Sequence, residues 1–373
     1  MNSIESQISP EATELAGRIT ELSRGNWTIM ELCSGQMQSL LPYTFSGLLP
    51  KQLKVVHGPG AALPLTPVEF LDTAMEIASA ASIAAETARA NVFCANHELL
   101  RMRGSKQDLL DVKAEGGDVR VVYSPLDCLA IASANPECNV IYLTVGFEQA
   151  AHADAMAIWQ ARRMGLKNFF LLGCRISSIA VIKRLLDSDT KPDALLVRPD
   201  LCFVTGTKEV ETFARESRIP VVVSGYESED LLESMLIAVK LLESGDFGLK
   251  LQYNGDLKKN GDVEAQSLIR EVFELNNGNW RCLGSIPRSS YVLNPQFKKF
   301  DASSLLSLAQ PVFAETPSCI SADVLMGRST PLECNNFGGT CTPLNPLGAT
   351  MSCDEGACSL YYKHSRSTTF NTD

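Results

Sequence analysis

What most restricts the fold of this chain is an alternation. Short, continuously apolar runs recur at WTIMEL (27–32), LKVVH (53–57), NVFCA (91–95), DVRVVYS (118–124), NVIYLTV (139–145), NFFLLG (168–173), DALLV (193–197) and IPVVVSG (219–225). Between them lie amphipathic stretches of helical length, at 66–88, 105–116, 149–165, 206–217 and 228–244. A strand that is apolar throughout must be covered on both faces, which is the environment of a parallel sheet flanked by helices. The alternation therefore predicts an α/β fold. Eight strands divide into two doubly wound parallel-sheet domains of about four strands each, and Asn135-Pro136 is a suitable break between them. The expected organisation is a helical segment over 1–25, a first α/β domain over 26–138, a second over 139–250 and an irregular C-terminal domain over 251–373. Past about residue 250 the strand pattern stops, and only a helix near 261–275 is expected before the tail.

That tail carries five of the chain's twelve cysteines. Cys319, Cys334, Cys341 and Cys358 follow the spacing C-x14-C-x6-C-x16-C. Thiolates so far apart converge only if tight turns fold the chain between them. Pro331, Gly338, Gly339, Pro343, Pro346, Gly348 and Gly356 lie where such turns are needed. Four sulfurs suit zinc or a cubane iron–sulfur cluster, and the absence of paired C-x2-4-C knuckles among these four favours iron–sulfur. The plainer alternative is a set of buried thiols acting as small hydrophobes.

Hydrophobic residues make up 45% of the 373 and charged residues 20%, as in an ordinary globular protein. The start is polar and acidic, and no apolar stretch reaches membrane-spanning length, so neither secretion nor a membrane partner is expected. Twelve cysteines in such a chain point to a reducing, cytoplasmic setting where thiols serve metals or redox chemistry. A net charge of −10 argues against nucleic acid as a partner.

In doubly wound sheets the working residues gather beyond the carboxyl ends of strands. Cys33 follows the first strand, where a helix N-terminus would favour its thiolate; it is a candidate nucleophile or ligand, or a packed thiol. His57 ends the second strand as a candidate acid–base group or ligand, though a lone His is more often structural. Gly58 and Gly60 flank Pro59 in a tight loop whose amides are candidates for binding a ligand, although G-P-G also serves as a plain turn. Glu148 follows the fifth strand, at an expected sheet edge, as a candidate general base or a helix-start carboxylate. Gly225-Tyr226-Glu227 echoes that arrangement after the eighth. No Walker loop, GxGxxG, HExxH or GxSxG occurs.

Taken together, ELCSGQ, HGPG, DVRVVYSPLD, GFE, VVVSGYESEDLL, FGGTC-x-P and DEGAC-x-x-YY resemble the HypD family of hydrogenase maturation proteins, over nearly the whole chain. The resemblance implies two similar α/β domains, a C-terminal iron–sulfur domain, and a [4Fe–4S] cluster held by Cys319, Cys334, Cys341 and Cys358. It further implies assembly of the Fe(CN)2CO centre of NiFe hydrogenase, in company with the small chaperone HypC and the cyanide-delivering HypE and HypF. Several positions depart from the family. Its C-G-G-H-T-H, one cysteine of which holds the iron, is here Cys33-Ser34-Gly35-Gln36-Met37-Gln38. Its G-P-G-C-P-V-C is Gly58-Pro59-Gly60-Ala61-Ala62-Leu63-Pro64, without the thiol pair of the electron relay. G-F-E-T-T reads Gly146-Phe147-Glu148-Gln149-Ala150, and P-G-H-V-S reads Pro199-Asp200-Leu201-Cys202-Phe203.

Three functions fit these observations. The first is a HypD-like iron–sulfur protein of metallocofactor assembly, diverged in its cleft. The second is an enzyme of another biosynthetic pathway that reuses the fold, with Cys33, His57 or Glu148 acting on a small molecule. The third is a non-catalytic iron–sulfur scaffold or regulator.

Overall fold

The computed structural model describes residues 8–32, 37–79, 89–188, 190–305 and 318–369. The strands among them are β1 (Trp27–Leu32), β2 (Leu53–His57), β3 (Asn91–Ala95), β4 (Val119–Val121), β5 (Asn139–Gly146), β6 (Phe169–Arg175), β7 (Ala194–Val197), β8 (Pro220–Val223), β9 (Gly248–Leu251), β10 (Phe273–Trp280) and β11 (Gly284–Leu293). The first eight fall on the eight apolar runs. They enter two parallel sheets, ordered β2-β1-β7-β8-β9 and β4-β3-β5-β6, while β10 and β11 form an antiparallel ribbon. The chain is thus an α/β protein with two parallel sheets.

The division along the chain differs from the linear expectation. Strand β3 pairs with β5 across Asn135-Pro136, and β1 pairs with β7, which lies more than a hundred residues later. Two compact units result. One comprises Met1–Pro64, Val181–Asp262 and Glu315–Asp373; the other comprises Leu65–Ala180 and Val263–Ala314. The proposed boundaries at 138 and 250 assumed that consecutive strands share a sheet, a tendency that a crossover between units overrides. Residues 251–373 likewise do not form one body, since the ribbon joins the second unit and the cysteine-bearing tail joins the first.

In the first unit, Ile29, Leu53, Val55, Ala194, Leu196 and Val222 of the sheet pack against the helices Pro10–Leu22 and Ser228–Ser244. The first of these helices begins where it does because Pro10 suits its first turn and the Ser9 hydroxyl accepts from the Ala12 amide at 3.0 Å. Met30, Val56, Leu195 and Val221, on the alternate side of the strands, are buried as well. Both faces are covered, which is why the runs are apolar without interruption. The tail adds its own core of Val324, Ala357, Leu360 and Tyr361 around Leu41. It also approaches the sheet closely: Gly327 has φ +71°, and a Cβ there would meet Met30 at 2.6 Å and Val56 at 3.0 Å.

The second unit contains strands that the sequence pattern misses. The ribbon's β10 alternates buried Phe273, Gly278 and Trp280 with exposed polar residues. A two-stranded antiparallel ribbon wet on one side has no reason to be continuously apolar. It is held to the sheet by the Ser177 amide, which donates to the Ser289 carbonyl at 2.8 Å.

Candidate functional site

Within the first sheet β2 lies on one side of β1 and β7 on the other, so the strand order reverses at β1. Ligands of open α/β sheets bind outside the carboxyl ends at such a point. Cys33, the next residue after β1, lies outside the described residues.

At the ends of β1 and β2 stand Glu31 and His57, paired in register. His57 Nδ1 lies 2.7 Å from a Glu31 carboxylate oxygen, and its Nε2 lies 2.8 Å from the Tyr361 hydroxyl. Relative exposures are 0% for Glu31 and 2% for His57 and Tyr361, so three polar side chains form a chain sealed from water. A carboxylate inside an apolar strand is affordable only with such a partner. Burial pushes the Tyr361 phenol up, with the charges of Glu31 and Cys358 adding to it. With both ring nitrogens engaged, His57 is a strut between the strand ends and the helix Ala357–Thr369, not a base facing a cavity.

The glycines after it are committed to the turn. The Gly58 amide donates to the Glu31 carbonyl and the Gly60 amide to the Gly58 carbonyl, both at 2.9 Å, so neither N–H is left for a ligand. Gly58 is required for space: a Cβ there would collide with Leu32 and Met30.

The four spaced cysteines of the tail all belong to this same unit. Leu347 donates its amide to Cys341 Sγ at 3.4 Å, and Thr350 donates its hydroxyl to Cys358 Sγ at 3.0 Å. Cys319 Sγ lies 3.1 Å from the Ser321 hydroxyl, which lies 2.9 Å from that of Thr350. Cys341 and Cys358 are 7% exposed, while Cys319 and Cys334 are half-buried. Burial raises the Cys358 thiol to about 12, and the charges of Cys341, Cys319 and Cys334 contribute to that rise. Cys341 is raised too, by burial and then by Cys319 and Cys334. The charges of Cys319 and Cys334 thus act on both of the buried thiols. Among the described residues, no three or more His, Cys, Asp or Glu side chains are arranged to hold a single metal ion. The fifth tail cysteine differs in kind: Cys353 Sγ donates to the Ala349 carbonyl at 3.9 Å, as a packed thiol does.

Glu148 belongs to the other unit. Its strand, β5, is an inner strand, so the expected sheet-edge position is not observed. Glu148 opens the helix Glu148–Met164, is 4% exposed, and accepts from the Ser178 amide at 3.0 Å and the Ser178 hydroxyl at 2.6 Å. Burial raises its pKa, and the bonds from Ser178 oppose that rise. This is a carboxylate tying together the helix starts after β5 and β6.

The family model for HypD, described as the hydrogenase formation hypA family, matches residues 10–365. The chain belongs to the HypD family. The hydrogenase maturation factor HypD of Rhizobium leguminosarum bv. viciae is 32% identical over 366 residues, spanning 95% of this chain and 93% of that protein. HypD of Escherichia coli K12 is 31% identical over 360 residues, spanning 96% and 94%. A putative hydrogenase expression/formation protein of Methanocaldococcus jannaschii is 29% identical over 353 residues, spanning 95% of each chain. Within this HypD-family chain, sequence reasoning overlooked Glu31, Tyr361, Ser321 and Thr350. Only Glu31 carried a signal, as the one charge in an otherwise apolar strand.

Proposed function

We propose that this chain is a HypD-type hydrogenase maturation factor whose tail carries a [4Fe–4S] cluster on Cys319, Cys334, Cys341 and Cys358. The observation that carries the reading is the treatment of the sulfurs: an amide donates to Cys341 and a hydroxyl to Cys358, whereas Cys353 spends its own hydrogen on a carbonyl. Thiolate ligands accept hydrogen bonds and have none to give. A single tetrahedral ion would need all four sulfurs at about 2.3 Å from one point. A cluster distributes them over separate irons, which suits thiols that interact without converging. When bound, the cluster supplies one-electron chemistry or structural support, and the chain's own residues hold it and shield it from water.

The reading extends to a HypC-like small chaperone and a HypE-like protein as partners, to an Fe(CN)2CO centre as cargo, and to the cytoplasm as the place of work. No helix among the described residues is long and apolar enough to cross a membrane. Iron and acid-labile sulfide assays on anaerobically purified protein, with an electronic spectrum, test the cluster. About four irons and four sulfides per chain are expected for a cubane; zinc, or no sulfide after reconstitution, would refute it.

A further inference from the structure

Two hydroxyl side chains span the gap between the first and last of the four cysteines. Ser321 is 3% exposed and Thr350 is 0% exposed. Their oxygens lie 2.9 Å apart, with Cys319 Sγ at 3.1 Å from one and Cys358 Sγ at 3.0 Å from the other. Each hydroxyl owns a single hydrogen. Thr350 gives its hydrogen to Cys358, so the hydrogen between the two oxygens comes from Ser321. The remaining contact, Cys319 to Ser321, then has to use the S–H of Cys319. In the free-thiol state the order is Cys319 S–H to Ser321 O–H to Thr350 O–H to Cys358 sulfur, the three bonds using the hydrogens of Cys319, Ser321 and Thr350 once each.

Ligation breaks this order, because a Cys319 thiolate has no hydrogen. The Ser321 hydroxyl must then turn from Thr350 towards Cys319 if that sulfur is to receive a hydrogen bond. Its oxygen keeps the Thr350 amide as a donor at 3.4 Å. Each thiolate thereby obtains one O–H donor from a site closed to water. Hydrogen bonds to the sulfurs are one of the determinants of cluster potential, since they stabilise the more negative, reduced form.

We infer that Ser321 and Thr350 are positioning residues that donate hydrogen bonds to Cys319 and Cys358, raising the reduction potential of the group these thiolates hold. This rests on the four-cysteine cluster reading. The test is a potentiometric titration, followed by electron paramagnetic resonance, of anaerobically reconstituted full-length wild type, Thr350→Val, Thr350→Ser, Ser321→Ala and the Ser321→Ala/Thr350→Val pair. Thr350→Val should keep its iron and sulfide while its one-electron reduction constant falls about tenfold, about 59 mV. Thr350→Ser should restore the wild-type value, and the two deletions together should shift less than the sum of each, as coupled neighbours do. A wild type that takes up no iron and sulfide overturns the cluster reading and this one with it. A loaded wild type whose variants change only in melting temperature, or not at all, overturns this one alone. If Thr350→Val fails to assemble a cluster, Thr350→Ser and Ser321→Ala decide: the first at the wild-type potential and the second below it support the role, and any other pattern refutes it.

Discussion

Cys353 and Cys358 are five positions apart, yet their sulfurs have opposite duties, one donating to the Ala349 carbonyl and the other accepting from Thr350. On the proposed cluster reading, Cys334→Ala should lose iron and sulfide, whereas Cys353→Ala should retain them in full, as measured on protein reconstituted side by side. The strut between sheet and tail gives a second expectation. Tyr361→Phe removes one oxygen and leaves His57 Nε2 buried with no hydroxyl beside it, a loss of about 1–3 kcal/mol in denaturant-induced unfolding. Gly58→Ala should also destabilise, by roughly 1–3 kcal/mol, because the added methyl must displace Leu32 or Met30 at the strand end.

At the scale of elements, the helix Glu148–Met164 carries a charge whose environment opposes it. Asp154 is 1% exposed, and burial raises its pKa from the ordinary 3.8 to about 7, against the pull of Arg175, whose Nη1 lies 3.3 Å away. An acid with a raised folded pKa binds protons more tightly in the native state, so native stability falls as pH rises from about 4 to about 7 and then levels off. Asp154→Asn should flatten this part of the stability profile, read from chemical unfolding at a series of pH values; an unchanged slope would mean that Arg175 holds the carboxylate ionised throughout. The legibility of elements follows the same physics. Eight of the nine strands of the parallel sheets were readable because burial on both faces leaves little room for polar residues; the edge strand β9, half of it exposed, was not. The ribbon was not, because FELNNGNW meets water on one side and its order comes from pairing with β11. The spacing of the four cysteines drew notice to them as candidates, whereas nothing in the sequence pointed to Ser321 and Thr350, since a buried hydroxyl has no sequence period. His57 was noticed, but its bond to Tyr361 joins positions 304 residues apart.

The whole molecule combines a family scaffold with altered loops. Where the family has the paired thiols of G-P-G-C-P-V-C, this chain has Ala61 and Pro64, and Ala61 is packed at 7% exposure. No two-electron dithiol exchange is possible between those side chains. The chain should consequently fail to restore hydrogenase activity to a HypD deletion strain, even where it accumulates with a full cluster; restored activity would show that the relay is dispensable. Domain boundaries were the least legible feature, because a sheet completed by distant segments leaves no mark in local sequence. That interleaving also sets a timetable. During synthesis β1 and β2 emerge early but wait for β7, β8 and β9, and the cysteine turns that pack beside them leave the ribosome later still. Non-local pairing of this sort is slow and leaves strand edges open in the interim. The nascent chain therefore reaches its last stabilising contacts only once the tail with its four thiols has left the ribosome, so that its sheet edges stay open for most of synthesis.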